Sequence, residues 1–146
     1  MDLILWRHAE AEDGSPDAAR KLTEHGREQA RRIAAWLKPR LPGNLEVLVS
    51  PAARAQQTAQ ALGVAFMTTP AIGTDAAAVD VISALDLPER SGATLIVGHQ
   101  PTLGRVAAIL LSGAQADWDI GKGALWWLFR ANGRIALRAV VDPEWL

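Results

Sequence analysis

Arg7-His8 follows directly on the apolar run Leu3-Ile4-Leu5-Trp6, and a second histidine, His99, follows the run Thr94-Leu95-Ile96-Val97-Gly98. Ser50-Pro51-Ala52-Ala53-Arg54 stands in the same relation to a third run, Leu45 to Val49. Two imidazoles and two guanidiniums, with no carboxylate cluster among them, call for an anion. Planar guanidiniums match phosphoryl oxygens bidentately, so phosphate is the predicted ligand. A histidine among arginines is also chemically loaded. Adjacent cations disfavour imidazolium and leave a neutral ring nitrogen able to attack phosphorus. His8 is therefore predicted to accept a phosphoryl group, while the arginines stabilise charge on the equatorial oxygens. That chemistry calls on no metal, and a metal site built on His8 and His99 would lack further ligands at suitable spacing.

These residues can act together only if the chain positions them. The Leu3 to Trp6 run is brief, which suits a buried strand. Ala30, Ile33, Ala34 and Leu37 fall at helical spacing, with Thr23 as cap and Pro39 as stop. Residues 45–49 form a second predicted strand. Ser50 then reads as an N-cap with Pro51 at the first helical position, opening a helix that Gly63 closes. A third strand is predicted over residues 64–69 and a short helix over 76–85. The 94–97 strand leads through Gly98-His99-Gln100-Pro101 into a helix containing Leu103, Val106, Ala107 and Leu110 and ending at Gly113. Residues 125–130 and 134–141 flank Asn132-Gly133, a strong hairpin signal. The order predicts a three-layer α/β/α fold with a mainly parallel central sheet and a C-terminal hairpin. In open sheets of this kind ligands bind beyond the carboxyl ends of the strands, where Arg7-His8, Ser50 to Arg54 and His99 would sit. Trp126 and Trp127, adjacent in a strand, should point to opposite faces.

A chain of 146 residues is predicted to form one domain spanning 1–146. Fifteen basic against sixteen acidic residues give a net charge of -1, so no global basic field exists to collect nucleic acid or anionic lipid. The absence of cysteine excludes a disulfide framework, a thiolate zinc site and a cysteine nucleophile. No apolar run reaches membrane length, and the N-terminal run is too short for a signal peptide, so a cytoplasmic protein without membrane partners is expected. Glu24, Arg27, Glu28, Arg31 and Arg32 read as a solvated helix face, and His25 beside them as a surface residue.

Four blocks in order, Leu5-Trp6-Arg7-His8-Ala9-Glu10, Arg20-Lys21-Leu22-Thr23-Glu24-His25-Gly26, Ser50 through Ala59, and Val97-Gly98-His99-Gln100-Pro101, make the chain resemble the histidine phosphatase superfamily. Within it the resemblance is to the short SixA-type phosphohistidine phosphatases. It implies a phosphoglycerate mutase-like fold, His8 as the nucleophile, and Arg7, Arg54 and His99 as phosphate ligands, joined by Arg20. It implies no cofactor, and as substrate a phosphohistidine-containing protein such as a phosphotransfer domain. Two departures stand out. Ala9 occupies a usual glycine position, which a methyl group should tolerate unless the backbone there needs positive φ. Larger relatives carry a carboxylic acid that protonates the leaving group, for which Asp75, Asp80 and Glu10 are the candidates here. A phosphohistidine can leave as neutral imidazole once its ring is protonated, so a missing acid favours P–N substrates. The alternatives are a phosphatase of small esters such as sugar phosphates, with Asp75 or Glu10 as proton donor, and a non-catalytic phosphate-binding module.

Overall fold

Alternate residues of each apolar run face opposite ways, and this period of two builds a sheet with a core on each side. A computed structural model describes residues 1–87 and 89–146. Its strands are β1 (Asp2–Arg7), β2 (Leu45–Val49), β3 (Met67–Thr68), β4 (Ala93–Gly98), β5 (Leu125–Ala131) and β6 (Arg134–Val141). The helices are α1 (Glu24–Leu37), α2 (Ala53–Gln60), α3 (Ala78–Ala84) and α4 (Thr102–Ser112). The six strands lie in the order β3-β2-β4-β1-β5-β6. β3, β2, β4 and β1 run parallel, whereas β5 pairs antiparallel with both β1 and β6.

Ile4, Trp6, Val47, Val49, Leu95 and Val97 face one core, closed by Ala30, Ile33, Ala34 and Leu37 of α1 and Ala55 and Ala59 of α2. Leu3, Leu5, Leu48 and Ile96 face the other, closed by α3 and by Leu103, Val106 and Ala107 of α4. The expected three-layer α/β/α arrangement is thus present. Trp127 enters the first core, edge-on to Trp36, and Trp126 packs on the other face beside Trp118. The hairpin turns at Asn132 (φ 55) and Gly133 (φ 73), the two positive φ values of a type I′ turn. Among the described residues no helix is long and apolar enough to cross a membrane.

The local expectations need three corrections. α2 opens at Ala53, because Ala52 remains extended (ψ 139). Ser50 is not its N-cap; the Ser50 hydroxyl is committed to His99 instead. The third strand shrinks from residues 64–69 to Met67–Thr68, an edge strand paired with Leu48 and Val49; one more bond, from the Thr69 N–H to the Val49 carbonyl (2.9 Å), precedes Pro70, which offers no N–H. The helix expected over 76–85 begins at Ala78, since the Ala76 carbonyl accepts the Thr102 hydroxyl proton (2.7 Å) outside the helix. α4 follows Pro101 and ends at Gly113 as expected.

Candidate active site

The sheet order explains how distant residues meet. β2, β4 and β1 are neighbours and parallel, so their carboxyl ends share one edge. Arg7 lies in register with Gly98, and the His8 N–H extends the ladder to the Gly98 carbonyl (3.0 Å). His8 and His99 therefore stand about one strand spacing apart, roughly 4.8 Å in any sheet; their ring centroids lie 5.1 Å from each other. Arg54, in the first turn of α2, reaches back so that its Nε donates to His8 Nε2 (3.4 Å). Arg20 arrives from the loop between β1 and α1, which folds on itself through an Ala11–Leu22 bridge and a bond from the Glu12 N–H to the Lys21 carbonyl. There Arg20 Nε donates to the Glu12 carbonyl (2.7 Å) and Nη1 to Asp17 Oδ1 (3.0 Å).

Arg7, His8, Arg20, Arg54 and His99 border one cavity of about 220 Å³, together with Lys122. Thr74 and Gln100 complete its polar wall, and among the described residues no carboxylate lines it. Asp75 and Asp80 are exposed and outside that lining. Glu10 is outside it too, its Oε2 accepting the Thr23 hydroxyl proton (2.8 Å). The candidates for a leaving-group acid are thus not brought to the cavity. His25 is a surface residue paired with Glu144. Among the described residues no group of three or more His, Cys, Asp or Glu is placed to hold a metal ion.

Hydrogen bonds fix the chemistry of each ring. His8 Nδ1 lies 2.8 Å from the Ala9 carbonyl, which can only accept, so Nδ1 carries the proton and Nε2 keeps its lone pair. The Arg54 Nε–H pointing at Nε2 agrees with that tautomer. Burial, with smaller repulsion from His99, Arg54 and Arg7, outweighs the Ala9 carbonyl and lowers the His8 pKa to about 3. Burial, followed by Arg54, likewise lowers that of His99 to about 4, Asp17 opposing. Both rings are neutral at pH 7. His99 Nε2 is 2.7 Å from the Ser50 hydroxyl, whose oxygen also accepts the Ala52 N–H (3.3 Å). A Ser50 hydroxyl that accepts from Ala52 is free to donate to His99 Nε2, the arrangement that places the ring proton on Nδ1. That Nδ1 and Arg7 Nε are the two buried side-chain nitrogens without a partner among the described residues. Both belong to residues lining the cavity.

Ser50, Thr58, Asp17 and Lys122 escaped sequence reasoning. Ser50 looked like a helix cap. Thr58 Oγ1 accepts the Ala9 N–H (3.0 Å) and donates to the Arg54 carbonyl (2.8 Å), tying the helix of one cavity residue to the backbone beside another. Its signal was the Ser50 to Ala59 block, which names residues but not bonds. Asp17, three positions before Arg20, offered an i,i+3 spacing. Lys122 gave no local signal. Ala9 has no positive φ and is fully buried, so a methyl group is accommodated where glycine is usual.

A doubly wound sheet that presents neutral imidazoles and guanidiniums beyond its parallel strands defines an anion-handling α/β protein. The chain belongs to the histidine phosphatase superfamily (branch 1), whose family model matches residues 3–77. It is of the SixA type within that superfamily and, with it, a hydrolase. It is similar to the phosphohistidine phosphatase SixA of Escherichia coli strain K12, 32% identical over 123 residues that cover 77% of this chain and 76% of that one. A phosphohistidine phosphatase SixA homolog of Haemophilus influenzae is 34% identical over 126 residues, covering 75% and 77%. A solved structure of the protein histidine phosphatase SixA complexed with tungstate matches with a TM-score of 0.84 and 25% identity, over 99% of this chain and 98% of that one.

Proposed function

We propose that the protein hydrolyses phosphohistidine in proteins, phosphotransfer domains among them, through a phosphorylated His8. The observation that carries this reading is the His8 tautomer. Nδ1–H is pinned to the Ala9 carbonyl, so the lone pair on Nε2 is directed to the cavity among the guanidiniums. Nε2 attacks phosphorus as the P–N bond to the substrate imidazole breaks. That imidazole, already protonated on its other nitrogen, leaves neutral. Phospho-His8 keeps its Nδ1 proton and is itself an imidazolium, so attack by water expels a neutral ring again and releases inorganic phosphate. Neither half-reaction requires a protein carboxylic acid, in keeping with a cavity lined by none among the described residues. Arg7, Arg20 and Arg54 hold the equatorial oxygens, and His99 Nδ1–H adds a further donor. The names of the SixA relatives support the same substrate class.

Side-by-side turnover of a phosphohistidine peptide and a panel of phosphate esters tests the proposal. The peptide should be preferred, acid-labile and base-stable phosphate should be trapped on the protein, and His8→Asn should abolish both. Arg7→Ala or Arg54→Ala should each cost about 10²–10³-fold in rate. A strong ester preference that is lost in Asp75→Asn or Glu10→Gln would overturn the phosphohistidine assignment. Tight phosphate binding with no turnover of either class would make the protein a recognition module.

A further inference from the structure

Arg54 is a buried cation whose side chain is 6% exposed, yet its charge is met by a residue on the surface. Asp17, in a short 3-10 turn over Asp17–Ala19, accepts from Arg54 twice: its backbone carbonyl from Nη1 (2.8 Å) and its Oδ2 from Nη2 (3.1 Å). The other carboxylate oxygen, Oδ1, accepts from Arg20 Nη1 (3.0 Å). One carboxylate therefore bridges two guanidiniums from different parts of the fold, one on α2 and one on the loop after β1. Without it those like charges would repel across the cavity, and Arg20, whose side chain is 25% exposed, would keep the Glu12 carbonyl as its anchor. The same bonds leave Arg54 Nε directed at His8 Nε2, and Arg20 Nη2 without a protein acceptor among the described residues.

We propose that Asp17 is a positioning residue that ties Arg20 and Arg54 into one rigid oxyanion cradle. It touches no reacting atom and acts through the two guanidiniums. The proposal rests on reading the cavity as a phosphoryl site. Arg54 has its direction fixed by three acceptors, two of them on Asp17, so binding an anion requires little further ordering of this side chain. Hydrogen bonds from Arg20 and then Arg54 hold the Asp17 pKa below the usual carboxylate value, so the bridge is charged at neutral pH. The Asp17 side chain is itself 55% exposed, and replacing its carboxylate removes little buried surface. A role in the cradle and a role in the fold are therefore separable.

The test is a double-mutant cycle on orthovanadate affinity, measured by calorimetry on the full chain, with thermal midpoints and kcat/KM on a phosphohistidine peptide alongside. Asp17→Asn should weaken orthovanadate binding roughly tenfold or more, Arg20→Ala should do likewise, and the double variant should lose clearly less than the product of the two. Asp17→Glu, which keeps the charge on a longer arm, should recover part of the loss. Asp13→Asn, an exposed carboxylate on the same loop, should change nothing. Unaltered orthovanadate affinity in Asp17→Asn, strict additivity with Arg20→Ala, or an Asp17→Asn protein that has lost its fold would each overturn the proposal. A wild-type protein that binds orthovanadate without hydrolysing phosphohistidine would defeat the substrate assignment and leave the clamp intact. One that binds no orthovanadate would defeat both.

Discussion

Two imidazoles kept neutral in the folded chain make its stability depend on pH in a way that can be worked out. Unfolded, each ring has a pKa near 6.5; folded, His8 lies at about 3 and His99 at about 4. The folded state therefore binds fewer protons than the unfolded state between those values. Because these folded pKa values are depressed, acid favours the unfolded chain, and stability falls as pH drops below about 6.5. At about pH 5 an unfolded ring is almost fully protonated and a folded one almost not at all, a difference of about 2 kcal/mol for each ring and about 4 kcal/mol together. Carboxylates whose pKa values are lowered on folding, Asp17, Asp117 and Glu144, carry the same direction of dependence. Their stabilisation is lost only as pH falls through unfolded values near 4, so a floor of about pH 5 isolates the imidazoles. Urea unfolding at pH 7.5 and 5 in phosphate-free sulfonate buffer measures the loss, and His8→Asn should remove about half of it. A wild-type loss below about 1 kcal/mol would mean that the rings titrate as if exposed, and the neutral nucleophile would fail with it.

Three substitutions probe the supporting bonds. Ser50→Ala leaves buried His99 Nε2 and the Ala52 N–H unpaired and should reduce kcat/KM roughly tenfold or more while costing about 1–3 kcal/mol of stability, read by peptide turnover and urea unfolding. Thr58→Val removes the acceptor of the buried Ala9 N–H and should cost about 1–3 kcal/mol in urea unfolding, with activity falling in parallel. Gly26→Ala places a Cβ inside the van der Waals radius of the Glu10 carbonyl and should cost about 3 kcal/mol or leave the protein insoluble, as expression and thermal unfolding would report.

The parallel sheet and its edge were legible because buried strands read as short apolar runs, and because the chemistry-bearing residues follow those runs immediately. His8 and His99 could thus be paired before their strands were known to be neighbours. Bonds that fix protons were not legible. Which His8 nitrogen keeps its lone pair depends on the Ala9 carbonyl, a backbone group with no sequence signature. Ser50 carried a local signal that pointed the wrong way: before Pro51 it has every feature of a cap, yet its hydroxyl faces a histidine from another strand. Long-range partners override local propensity at such places. Lys122 reaches the cavity because the Gly123 N–H bonds the His8 carbonyl (3.1 Å), a pairing across the sheet that neither segment announces alone.

The bonds that hold the proposed nucleophile also build the fold around it. The hydroxyl of Thr58 takes the Ala9 N–H and gives its own proton to the Arg54 carbonyl, so α2 cannot shift along the sheet without moving both Arg54 and the loop that holds His8 Nδ1. Gln57 makes a parallel tie from the same helix, its Oε1 accepting the Leu22 N–H (2.7 Å) beside the Arg20 segment. One helical turn thereby sets the register of Arg54 against His8 and against the loop that carries Arg20. This is why residues 54–58 form a block in sequence although only Arg54 of them lines the cavity: Arg54 faces the cavity, while Gln57 and Thr58 keep the distance between guanidinium and imidazole constant. A cradle for a transferred phosphoryl group needs that constancy, since donors displaced by about 1 Å can forfeit a hundredfold in rate.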